Sequence, residues 1–167
     1  CIRDSIRRLP INIARGMAPG YEPLGSYGER TSTGAETNFP VWPNGPIKIP
    51  PASGVQMSIA STSANDSAAG THVRSIEIHY LDSDLLPQTE TIILGGTTPM
   101  LTVANDIRWI QCMHIHTIGT TPAAAGIISA KFNGDTYSEI PVGATRCSSS
   151  FRMVPSRKRL FIDAAIW

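Results

Sequence analysis

The chain has 167 residues, 41% of them hydrophobic and only 16% charged, with fourteen glycines, thirteen prolines and a formal net charge of +1. That length suits one domain, or one domain with an arm, and a compact chain of this size buries roughly 70% of its unfolded surface without a metal or disulfide staple. Near-neutral charge argues against a nucleic-acid partner recruited by bulk electrostatics, and no apolar run approaches the roughly 18 residues of a membrane span.

Residues 1–9, CIRDSIRRL, place Ile2, Ile6 and Leu9 on one helical stripe that Pro10 ends. A helix this short needs a surface to lie on. Residues 10–54 then hold most of the prolines and half of the glycines, and no period of 2 or 3.6 survives there. Tyr21, Tyr27, Phe39 and Trp42 are spaced through this stretch like anchors. The composition predicts an extended Pro/Gly-rich N-terminal arm over 1–54 with a short helical start; prolines stiffen it and blunt its edges.

From residue 55 the pattern is β. Val55, Met57 and Ile59 alternate inward over 55–61. Over 73–81, Ile76, Ile78 and Tyr80 share one face and Ser75, Glu77 and His79 the other. Further strands are expected at 88–94, 97–103, 107–118, 126–132, 136–140, 148–155 and 160–167. The 107–118 run is apolar on both faces and is expected to be central. Asn133-Gly134-Asp135 predicts a hairpin turn, and Ser156-Arg157-Lys158-Arg159 a basic one. Short strands at this spacing predict an all-β protein, an antiparallel, jelly-roll-like β-sandwich over 55–167.

No catalytic set emerges. The chain has no G-x-S-x-G elbow and no phosphate-cradling glycine motif. Cys1, Cys112 and Cys147 are odd in number and lack a C-x-x-C, which favours reduced thiols. Asp66, Asp82 and Asp84 lack a glycine-marked calcium loop and read as turn residues. His114 and His116, two apart on a strand, project from one face, and Glu77 or His79 on another strand could join them. The reading adopted for them is a polar or interface face, with no metal and no cofactor. The chain is therefore expected not to be an enzyme.

The blocks STSANDSAAGTHVRSIEIHYLDSD, ETIILGGTTPMLT and IRWIQCMHIHTIGTTPAAAGIISAKFNGDTYSEIPVG resemble a group of tailed-bacteriophage virion structural proteins. The pattern of that group reads approximately S-S-S-A-N-D-T-A-A-G-T-G-A-R-T-V-x-I-x-G-L-D, then E-T-V-x-L-N-G-T-x-P-V. The resemblance covers about residues 55–145, and His72 stands where the pattern has glycine. It implies a structural virion component, whether capsid decoration, head fibre, neck or tail, assembled in the host cytoplasm. The implied partners are copies of itself and other virion proteins, with no nucleic acid and no membrane. Tyr21, Tyr27, Phe39, Trp42, Arg157, Lys158, Arg159 and Trp167 are the expected intersubunit contacts. The alternative is a host-surface adhesin whose loops 119–125 and 133–135 touch a glycan.

Overall fold

A computed structural model describes residues 27–28, 47–147, 149–150 and 153–158. The chain divides into two compact units, Ser26–Arg157 and a second formed by Cys1–Gly25 with Lys158–Trp167. The Ser26–Arg157 unit is an all-β antiparallel sandwich, with no helix among the described residues. One sheet has four strands in the order β5 (Met100–Leu101), β2 (Ser58–Ser61), β7 (Ile128–Phe132) and β8 (Asp135–Ile140). The other has three, β4 (Pro87–Ile93), β3 (Val73–Leu81) and β6 (Trp109–Ile118). A two-stranded ribbon pairs β1 (Tyr27–Gly28) with β9 (Ser149–Ser150).

The alternation read from the sequence builds the core. Val55, Met57 and Ile59 meet Ile128, Ala130 and Ile140 of the same sheet, and Val73, Ile76, Ile78, Ile92 and Met113 of the facing one. These side chains leave water almost completely, and each burial of this size is worth roughly 1.5–3 kcal/mol before entropy is counted. Strand β3 departs from strict alternation around Ser75 and again between His79 and Tyr80, where Tyr80 and Leu81 are both buried. The β3–β6 register slips on either side of Ser75, so Ser75 and Ile76 are both buried, and Ser75 Oγ meets Thr117 Oγ1 at 2.5 Å. Such a bulge takes a polar side chain out of water, where it must find a partner.

Several expected elements take a different form. The 107–118 run does not make a central strand: β6 ends its sheet, and β3 is the middle strand. Its other edge is met by a short segment, 145–147, which makes a single antiparallel bridge between Arg146 and His114. Ile115 N donates to the Thr145 carbonyl and Cys147 N to that of Met113. Of the expected 97–103 strand, Met100–Leu101 is a strand, while Thr98 makes an isolated bridge back to Gly95 across a turn with φ +67° at Gly96. Among the described residues of 148–155, Ser149–Ser150 is a strand. Residues 153–155 are held instead by a side chain, since the Gln111 amide exchanges hydrogen bonds with Met153 N and O as a peptide group would. The helix expected at 1–9 and the strand at 160–167 lie outside the described residues. The β7–β8 hairpin closes through two residues, Asn133 and Gly134, both at positive φ (50° and 83°), the requirement of a type I′ turn.

Residues 47–54, the end of the expected arm, already lie on the sandwich. Lys48 pairs with Asp135, Arg108 Nη1 donates to the Pro50 carbonyl, and Val55 bridges Ile107.

The segment 61–72, between β2 and β3, is organised by Asp66, which is 0% exposed. Its Oδ2 accepts from Ser61 Oγ at 2.6 Å and Gly126 N at 2.9 Å. Its Oδ1 accepts from Ala125 N at 3.0 Å and Val73 N at 3.2 Å. Gly70 completes the fit, because a Cβ there would overlap the Asn65 carbonyl. Asp66→Ala removes a carboxylate and strands four donors, so we expect it to lower unfolding free energy by about 3 kcal/mol or more. Urea denaturation checks this, and a loss below about 1 kcal/mol would show that the network is not a structural centre.

After β3 the chain turns on a second aspartate. Asp82 Oδ1 accepts from Asp84 N at 3.0 Å and Leu86 N at 2.9 Å, and Oδ2 from Gln88 Nε2 at 2.9 Å. Burial pushes the Asp82 carboxyl up, but the bonds from Gln88, Leu86 and Asp84 outweigh it and hold it below the usual 3.8. A carboxyl lowered by folding stabilises the native state above its unfolded pKa and loses that contribution as pH falls through the lower folded value. Asp82→Asn should accordingly be less stable at pH 7 and should show a shallower loss of stability below about pH 4. Urea midpoints measured across that range would decide it; parallel curves for the two proteins would contradict the assignment.

Candidate functional site

Strand β3 turns Glu77 and His79 to the outer face of the three-stranded sheet, since successive strand residues alternate and Ile76, Ile78 and Tyr80 take the inner face. Across the β3–β6 ladder, Glu77 stands opposite His114. The two histidines read from the sequence as one face of β6 are thereby brought beside the two candidates on β3. The arrangement comes from register, which period alone does not encode.

Glu77 is the centre of the group. His79 Nε2 lies 2.8 Å and His114 Nε2 3.2 Å from Glu77 Oε1, while His116 Nδ1 lies 4.0 Å from Oε2. The His79 and His114 rings are stacked, with centroids 5.0 Å apart and planes at 27°. The far side of His79 meets the Thr89 hydroxyl, Nδ1 to Oγ1, at 3.5 Å. All four side chains are partly open to water, Glu77 least. With neutral rings protonated at Nε2, His79 and His114 both donate to one carboxylate oxygen. The same atoms without those protons would form a converging set of two nitrogens and one oxygen.

The thiols form a second pair. Cys112 and Cys147 are not joined by a disulfide; their sulfurs lie 3.7 Å apart, with Cys147 buried. Their closeness follows from the 145–147 segment along β6 and has no signal in the sequence.

Of the residues expected to make intersubunit contacts, Tyr27, Arg157 and Lys158 are among the described residues. Arg157, at φ 64°, and Lys158 are exposed beside a turn. Tyr27 lies in β1. Tyr21, Phe39, Trp42, Arg159 and Trp167 lie outside the described residues. Of the loops assigned to a glycan in the alternative reading, 119–125 is tied to the sandwich: Gly119 N donates to the His72 carbonyl, Thr121 N to that of Thr71, and Ala125 N to Asp66.

An exposed apolar edge went unnoticed in the sequence. Met100, Leu101 and Val103 follow one another at the open side of the four-stranded sheet, with Leu101 62% and Val103 89% exposed. Just beyond β5, Glu90 of β4 accepts from the amides of Val103 and Ala104, which fixes the backbone and turns the valine outward. The only hint in the sequence was hydrophobicity, which pointed to burial.

Compared with known proteins, the chain matches no family model, no curated protein and no solved structure.

Proposed function

We propose that the protein is a structural component of a tailed-phage virion that acts through protein–protein assembly. The observation that carries this reading is the apolar edge at Met100, Leu101 and Val103. A short edge strand followed by a nearly bare valine is a surface that a neighbouring chain would cover, and contiguous exposed apolar residues of this kind mark interfaces. The resemblance to phage virion proteins supports the same conclusion from a different direction. Its most specific block, SANDSAAG, serves the fold through Asp66 and Gly70 and offers a ligand no array of open donors, as a scaffolding role requires. The partners are copies of this chain or adjoining virion proteins.

Light scattering at high concentration and binding to virion particles lacking the protein test the reading together. We expect self-association or particle binding for the natural sequence. Leu101→Lys with Val103→Glu should abolish it while leaving the circular dichroism spectrum unchanged. A protein that stays monomeric and ignores such particles is not an assembly component.

A further inference from the structure

We propose that Glu77, His79 and His114 form a binding site for a divalent transition-metal ion of the zinc class, on the outer face of the β3–β6 pair. Among the described residues, this is the one group of three His, Cys, Asp or Glu side chains whose ligand atoms all lie within 4.8 Å of one another. Its donors are two imidazole Nε2 atoms and a carboxylate oxygen, a set that suits zinc, nickel or copper and not calcium or magnesium, which take oxygen.

The spacing fits. Around a tetrahedral zinc ion with bonds of about 2.0–2.2 Å, neighbouring donor atoms stand roughly 3.3–3.5 Å apart. Glu77 Oε1 is 2.8 Å from His79 Nε2 and 3.2 Å from His114 Nε2, so the carboxylate must withdraw by about half an ångström to admit an ion. Glu77 has solvent on one side and can do so. The backbone already holds the donors in place: Glu77 and His79 are two apart on β3, and the ladder fixes His114 opposite Glu77. Three protein ligands leave one position for water, the pattern of an open zinc site.

Binding requires a change of tautomer. In each neutral ring the proton moves, by way of solvent, from Nε2 to Nδ1, so that Nε2 is open to the ion and no net proton is released. For His79 the Nδ1 proton faces Thr89 Oγ1, the kind of outer partner that fixes a ligand's tautomer and orientation. His116 Nδ1 lies 4.0 Å from the second carboxylate oxygen, beyond hydrogen-bond distance, and is not among the ligands. The ligands come from two strands and converge only in the folded state, so bound metal favours that state.

The test uses the full chain, stripped with chelator and titrated with Zn²⁺ by isothermal calorimetry and with Co²⁺ by visible absorption. One ion per chain is expected, with a cobalt ligand-field band and a higher thermal midpoint in zinc. His114→Ala and Glu77→Gln should each weaken binding by about tenfold or more, with circular dichroism confirming that both fold. His72→Ala, outside the cluster, should bind as the natural sequence does. Absence of saturable binding would overturn the proposal, and so would binding that is unchanged in the His114 and Glu77 variants.

Discussion

A carboxylate withdrawn from water must be met by donors, and Asp66 is met by four. Those donors come from three places that are distant along the chain: the end of β2, the start of β3, and the approach to β7. Strands β2 and β7 belong to one sheet and β3 to the other, so a single side chain fixes how the two layers meet at this end. An apolar residue could fill the space but could not answer the amides of Ala125 and Gly126. The small residues around Asp66 serve the same end, because they let strands of backbone approach closely enough for one carboxylate to reach them all. Gly70 against Asn65 is the clearest case.

What the sequence made legible was whatever depends on neighbours along the chain. Period 2 placed Met57, Ile59, Ile76 and Ile78 in the core, and Asn133-Gly134 announced its hairpin through backbone preference alone. What it hid depends on register and on distant partners. The Ser75 bulge, the segment 145–147 along β6 and the Gln111 contact with Met153 are pairings between remote residues. Asp66 read as a turn residue because its other partners lie some sixty positions away. Similarly, His114 and His116 were visible as a pair, but only the β3–β6 ladder brings Glu77 and His79 beside them.

The two surface features lie on different sheets and use different chemistry. The apolar edge belongs to the four-stranded sheet, and the Glu77–histidine group to the outer face of the three-stranded one. Strand β4 touches both, through Glu90 at the apolar edge and through Thr89 at His79. The engagement of loop 119–125 with Asp66 and residues 71–72 reserves that end of the sandwich for internal bonding.

The ribbon of β1 and β9 joins Gly28 to Ser149, and β2 finds its partner β7 only after β3 to β6 have intervened. A topology built from such distant pairings must close large loops before its contacts begin to stabilise it, which places it among the slower-folding architectures, on a scale of milliseconds to seconds. During that interval the strand edges that later pair are open to any other chain nearby. When many such chains fold together, order of closure matters as much as final stability, and stopped-flow refolding at rising concentration would reveal the competition as a falling yield.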